Sequence, residues 1–430
     1  MFSWKGTLGL AVCAALASAT MAHGGETASS PVVPDQLSLN SNPAYLDDTT
    51  QPPPPPPPLM GLLGAIPGVG GALTATNITI GGFVEGGYTY SFNPPPGKFI
   101  SGNIFNIKQN RIVLDQADIA VNRAVDPTAG KFDVGGRVEF VYGWDSGFIH
   151  SNGLFSYLNP RLGGQEVESG AGTENQFDLV QAYIDVVTPI KNLDVRFGKF
   201  VTLLGQETIN PTGNALYSHS YLFGDAIPLT QTGVLLTYNL TDAITLEGGI
   251  TRGWNQSLRD NNGAIDFLGE VSWQLDKATK LILNVSEGPQ AAKDNSDYWT
   301  VLDFIATRTM SDQLSIAFNA DYGDAPHALG TTSAQWYGAA LYGTLTLDSH
   351  VSVTMRGEAY DDQNGFTTGL AQRVYEATLG VTITPFPDNA IGKNFEVRPE
   401  VRYDYSDHNF FNEGTRHDQV QCAMDAIFQF

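Results

Sequence analysis

The chain has 430 residues, with 45 acidic against 23 basic side chains and a formal net charge of −22. That balance excludes nucleic acid as a partner, because phosphate binding needs clustered Lys and Arg, and it excludes a basic membrane-surface anchor. Charged residues are only 16% of the chain, below the ~25% of soluble domains, yet no internal run reaches the ~18 apolar residues of a spanning helix.

Residues 1–22 read as an export signal. Lys5 supplies the positive start, Gly6 to Ala17 the short apolar stretch, and cleavage falls after Ala19 or Ala22. Residues 23–75 are Pro-rich. The run from Pro52 to Pro58 favours an extended polyproline spacer. Leu59 to Leu73 is apolar but is cut by Pro67 and several glycines, so it cannot span. This segment is either a periplasmic linker or a plug that enters a lumen, and the sequence leaves both open.

From residue 76 to 430 the pattern changes to about sixteen strands of ~9–11 residues, the length that a tilted spanning strand needs. Alternation is clearest in five of them. In 78–90, Ile78, Ile80, Val84, Tyr88 and Tyr90 oppose Thr79, Glu85 and Thr89. In 131–142, Val134, Val138 and Phe140 oppose Asp133, Arg137 and Glu139. In 265–275, Phe267, Val271 and Trp273 oppose Asp266 and Glu270; in 313–322, Ile316 and Phe318 oppose Asn319 and Asp321. In 395–405, Val397, Val401, Tyr403 and Tyr405 oppose Glu396, Arg398, Glu400, Arg402 and Asp404.

A charge facing lipid costs ~2–4 kcal/mol at mid-depth for Arg or Lys, so this charged row belongs on an inner wall. The same logic assigns Asp185, Glu247, Asp303, Arg356, Glu358 and Asp425 to that wall. Two positions resist. Pro399 removes a ladder donor, and Lys199 sits among Val195, Phe197 and Val201, which predicts a bulge near Gly198.

Connections alternate in length. Those at 188–192, 239–243, 276–278, 309–312 and 348–350 are short; those at 91–110, 143–175, 205–231, 254–264 and 361–371 are long. Short turns on one rim and long loops on the other mark a transmembrane, antiparallel, up-and-down β-barrel. An even strand count puts both termini on the short-turn, periplasmic side. Tyr88, Tyr90, Tyr142, Trp273, Trp336, Tyr360, Tyr403, Tyr405 and Phe430 lie near strand ends and read as an interfacial girdle. The final strand ends on Phe428 and Phe430, a candidate assembly signal for the barrel-assembly machinery. Cys422, alone once the signal is removed, reads as a small hydrophobe without a disulfide.

No catalytic residue, cofactor or metal ligand is expected. All seven histidines fall in loops, turns or the N-terminal segment. Ser218, His219 and Ser220 are adjacent, but neighbours on an extended chain face apart. Neither a metal-ligand spacing nor a phosphate-binding glycine loop is present.

The run Gly82-Phe83-Val84-Glu85-Gly86-Gly87-Tyr88-Thr89-Tyr90-Ser91-Phe92-Asn93 resembles the OmpL-like outer-membrane β-barrel porins. Gln181-Ala182-Tyr183, Gly198-Lys199-Phe200, Gly205-Gln206-Glu207, Tyr217 to Phe223, Pro228 to Gly233 and Gly253-Trp254-Asn255 extend the resemblance. Arg252 and Asn255 depart from its pattern. The resemblance implies a channel in outer-membrane lipid, passing small hydrophilic solutes or ions, with no catalytic residues to transfer. By family analogy it implies a homo-oligomer, most often a trimer. The loop 205–231, with Glu207, Tyr217, Tyr221, Phe223 and Asp225, either projects outward or folds inward as a constriction, as in general porins. The excess of acids on the charged row predicts a preference for cations. A structural or adhesive barrel with a blocked lumen is the alternative, with 143–175 long enough to bind a surface.

Overall fold

A computed structural model describes residues 57–93, 95, 97–126, 131–159, 165–168, 174–328 and 332–430. The expected signal and most of the Pro-rich segment lie outside these residues. The strands are β1 (Ile78–Ser91), β2 (Arg111–Arg123), β3 (Asp133–Gly143), β4 (Ser156–Asn159), β5 (Gln165–Glu168), β6 (Gln176–Val187), β7 (Leu193–Val201), β8 (Thr230–Thr241) and β9 (Ile244–Thr251). They continue as β10 (Asp266–Asp276), β11 (Thr279–Pro289), β12 (Tyr298–Thr309), β13 (Leu314–Ala325), β14 (Ala334–Thr346), β15 (Val351–Asp362), β16 (Gln372–Ile383), β17 (Phe395–Ser406) and β18 (Asp418–Gln429). Sixteen of them form one closed antiparallel barrel, while β4 and β5 make a separate hairpin in the loop after β3.

The first and last barrel strands pair, with Val84 opposite Phe428 and Gly87 opposite Asp425. Phe430 N–H donates to Gly82 O at 2.8 Å, and Gly82 N–H donates back at 3.0 Å. Closure leaves no sheet edge, so every strand finds its backbone partners within the sheet. No helix among the described residues is long and apolar enough to cross a membrane.

The period-two alternation appears directly in exposure. On β17, Arg398, Glu400, Arg402 and Asp404 are buried, while Tyr403 and Tyr405 are 43% and 42% exposed. On β15, Arg356 is fully buried and its neighbour Met355 is 58% exposed. Phe140, Ile184, Phe197, Phe267, Leu283, Leu341 and Leu379 extend the exposed apolar band around the outside. Pro399 stays in β17, and the β16–β17 pairing lapses between Gly380↔Glu400 and Ile383↔Val397, where its missing donor falls.

Three expectations need correction. Trp336 and Tyr360 are buried, not part of an outer girdle. Trp336 points to the enclosed side, where Gly323 on β13 leaves room that a Cβ would fill, and Tyr337 is the outward ring. Lys199 is not accommodated by a register shift at Gly198. The β6–β7 ladder instead ends at Ala182↔Lys199. Beyond that point side chains take over: Lys199 Nζ donates to Leu179 O at 2.6 Å and lies 3.2 Å from Asp178 Oδ2, and Val201 N–H donates to Gln181 Oε1 at 3.3 Å. Finally, Cys422 is not a free thiol but is disulfide-bonded.

Before β1, helices Pro58–Gly64 and Val69–Thr76 carry no buried residues. They touch the start of β1, where Ile80 N–H meets Met60 Sδ at 3.2 Å.

Candidate functional site: the enclosed wall and the loop inside it

The chain leaves β7 at Val201 and re-enters the wall at Thr230. Between these points it hydrogen-bonds to β2, β12, β13, β14, β15 and β17. A segment that reaches strands so far apart in a closed cylinder can do so only from within. Its shape is set locally. Pro211 to Gly213 form one turn of 3-10 helix, capped by Asn210, whose side chain accepts from Thr212 N–H. Leu222 to Ala226 form a π-helical turn.

Carboxylates of the wall capture the loop's free backbone donors. Glu400 accepts from Tyr217 N–H at 3.0 Å and Ser218 N–H at 3.1 Å. Glu358 accepts from Tyr221 and Leu222 N–H, both at 2.8 Å. Asp303 accepts from Gly205 N–H at 3.1 Å and from Asn284 and Asn319. Such charge-assisted bonds are about twice as strong as neutral ones.

Arginines hold the loop's carbonyls. Arg356 donates to Ser218 O at 2.6 Å and pairs with Glu207 at 2.6 Å and Glu376 at 2.8 Å. Arg398 donates to Pro211 O at 2.9 Å and to Asn214 O, and pairs with Asp425 and, at 3.4 Å, with Glu85. Arg402 donates to His219 O at 2.6 Å and pairs with Asp404 at 2.8 Å. The planar guanidinium suits this role, because one group can serve a carboxylate and carbonyls at once.

The loop's own side chains complete the packing. Tyr217 and Tyr221 donate to Asp115 at 3.2 Å and Asp404 at 3.0 Å. Phe223 packs with Phe105 and with His219, whose ring centroid lies 4.4 Å away. Burial pushes His219 down to about 4, so its imidazole is neutral near pH 7. Burial works against the Glu207 carboxylate, but Arg356, His219 and the Ser220 N–H hold it below its ordinary range. Asp225 is pushed up to about 7, first by burial and then by Asp362, with Arg402 opposing.

Other expected wall residues lie apart from the loop. Arg137 Nε is 2.8 Å from Glu139, which also accepts from Gln181. Asp185 takes Arg196 in a two-pronged pair at 2.8 and 3.1 Å. Glu247 and Glu270 stand directly opposite each other on β9 and β10. Asp266 is buried and accepts from Gln290. Asp321 faces Asp303 across β12 and β13, and Glu396 is half-buried. Asp133 sits at the start of β3, 2.9 Å from Arg123, at the short-turn end.

Ser218 and Ser220 do not meet the His219 ring. Ser220 Oγ donates to Glu207 at 3.0 Å, Arg356 donates to Ser218 Oγ at 3.2 Å, and His219 Nε2 lies 3.1 Å from Asn214 and 3.3 Å from Thr208 O. No cluster of metal-ligating side chains occurs among the described residues.

Sequence reasoning missed Trp336, whose indole N–H donates to Ala226 O at 3.1 Å and pins the loop's return arm. Gln335-Trp336-Tyr337 offers large rings to both faces, so period two gave no signal there. Asp115 and Asn319 were also missed as anchors; both depend on contacts distant in sequence.

Solved structures share this architecture. The outer membrane channel DcaP of Acinetobacter baumannii matches at 14% identity and a TM-score of 0.53, over 82% of this chain and 97% of that one. An anion-selective porin from Comamonas acidovorans matches at 9% identity and 0.54, over 82% and 99%. OmpF of Salmonella typhi, in complex with daunomycin, matches at 13% and 0.55, over 83% and 99%. At these identities the likeness concerns the fold. No curated protein matches the sequence. The family described as "Putative beta-barrel porin-2, OmpL-like" matches residues 77–430, the whole barrel. The chain therefore belongs to the OmpL-like β-barrel porin family.

Proposed function

We propose that the protein is an outer-membrane channel for passive diffusion of small hydrophilic solutes and ions, that it prefers cations, and that the segment between Val201 and Thr230 is its constriction. The observation that carries the ion preference is the pairing of the enclosed wall. Arg137, Arg196, Arg356, Arg398 and Arg402 each lie on a carboxylate. Acids outnumber these bases on the wall: Glu247 shares Arg196 with Asp185, Glu396 shares Arg398 with Asp425, Lys280 lies near both Glu247 and Glu270, and Asp321 faces another acid, Asp303. Arginines already neutralised offer little to a mobile anion, while the remaining acids keep a negative potential in confined water.

The family's fold does not dictate the sign, since the Comamonas porin of the same architecture is anion-selective. In this reading the outer band meets lipid and both termini face the periplasm. Phe428 and Phe430 are the signal read by the barrel-assembly machinery, and a homo-trimer is the expected assembly. The experiment is a reversal potential in a salt gradient across a planar bilayer: a cation-selective sign is expected, and an anion-selective sign overturns the preference. The second reading, a structural or adhesive barrel with a blocked lumen, draws on how densely the loop packs against β12–β17. A protein that inserts but carries no current selects it.

A further inference from the structure

Beside the turn of the inner loop lies a cavity of about 300 Å³, bounded by the long loops after β1, β3, β15 and β17. Its size is at the lower end of the ~300–1,000 Å³ range of small-molecule pockets. Most polar side chains on its lining are engaged within the protein. Asn103 exchanges hydrogen bonds with Gln421. Ser220 Oγ donates to Glu207. Thr367 and Thr368 both donate to Asp362. Asp225 is the exception. It lines the cavity, half-buried, and makes no hydrogen bond or ion pair among the described residues. Two phenyl rings, Phe148 and Phe410, border the same space.

We propose that this cavity is a docking site for a small organic cation with an ammonium head, anchored by the Asp225 carboxylate and flanked by the faces of Phe148 and Phe410. An anionic acceptor without a protein donor favours a cationic guest over a neutral one. Aromatic walls favour an alkylated ammonium over a strongly hydrated metal ion, through cation–π attraction. The neighbouring hydroxyls and amide are engaged elsewhere, which disfavours a neutral sugar that would need several free hydrogen-bonding groups. The assignment rests on the channel reading only for its meaning, as a waiting point for cationic solutes at the long-loop mouth. The site itself can be tested without current.

The probe is choline, with 3,3-dimethylbutan-1-ol as its neutral isostere, titrated calorimetrically into the full-length protein in detergent at about pH 8, where Asp225 is ionised. Choline is expected to bind about tenfold or more tightly than the isostere, and Asp225→Asn is expected to remove that difference. Phe410→Leu, which keeps bulk but removes the π face, weakens choline several-fold and serves if Asp225→Asn does not assemble. Equal binding of choline and isostere, no binding of choline, or unchanged choline affinity in Asp225→Asn overturns the proposal. Choline binding in a protein that carries no current in planar bilayers supports the site and refutes the channel reading instead.

Discussion

On β15, β17 and β18 the arginines of the enclosed wall and the carboxylates of Glu358, Glu400, Asp404 and Asp425 are tied down, whereas on β9 and β10 two acids face each other. Arg356, Arg398 and Arg402 each bind a carboxylate and a carbonyl of the inner loop. Glu247 and Glu270 sit in register on adjacent strands, with Lys280 near both and Arg196, already paired with Asp185, near Glu247. Both regions show the same alternation of apolar and charged residues. They differ in what lies opposite. One wall receives the loop, so its charges become tethers. The other does not, so its charges stay available to whatever fills the lumen. A charged inner row thus anchors the loop where the two meet and, in the proposed reading, is left to act on ions where they do not.

The largest break in this comparison comes from Arg356→Met. It leaves Glu207 and Glu376 buried without their partner, a loss of about 3–5 kcal/mol for a broken buried pair. The loop should detach, seen as higher single-channel conductance and faster proteolysis between Val201 and Thr230. Unchanged conductance would mean that the loop does not depend on the arginine wall.

The adjacent residue tests the faces. Met355→Arg puts a charge on the exposed side, at a cost of about 2–4 kcal/mol near mid-depth. It should impair assembly, read as loss of the heat-dependent gel shift, while Met355→Leu assembles normally. Efficient assembly of Met355→Arg would reverse the assignment of inside and outside.

Acid should loosen the loop through His219. Its folded pKa is lowered to about 4, so the docked loop binds fewer protons than a released one. Docking stability is full above the ordinary histidine range near ~6.5 and declines as pH falls toward about 4. Asp225 acts in the opposite sense, favouring docking as pH falls through about 7. Glu207, held low, adds to the loss only at still lower pH. Comparing conductance of His219→Gln with wild type at each pH isolates the histidine. Parallel pH profiles would remove it from the mechanism.

The smallest structural effect is expected on the untethered wall. Glu247→Gln with Glu270→Gln should leave assembly and the heat-dependent shift intact, while moving the reversal potential toward zero. An unchanged potential would mean that these two acids do not face the ion path.

Much of this architecture was legible along the chain. The strand at 395–405 and that at 313–322 differ from the observed β17 and β13 only at their ends, because alternation over a dozen residues is a local property with one low-cost orientation in lipid. The charged identities at Glu358, Glu400 and Arg402 were legible too. Their tasks were not. Glu400 finds Tyr217 and Ser218 across some 180 positions of sequence, and nothing in a strand's periodicity encodes such a partner. Trp336 and Tyr360 were misassigned for the same reason: an aromatic near a strand end reads identically whether it meets an interface or a loop inside.

The sequence by itself determined that this protein is a closed cylinder of alternating strands with an apolar outer face, because hydrophobic periodicity and backbone pairing are short-range and admit few solutions. Only the tertiary structure decided that the segment between Val201 and Thr230 lies within that cylinder, and therefore which wall charges are tethers and which remain open. That choice depends on opposite charges meeting across the lumen, between residues that the chain keeps far apart.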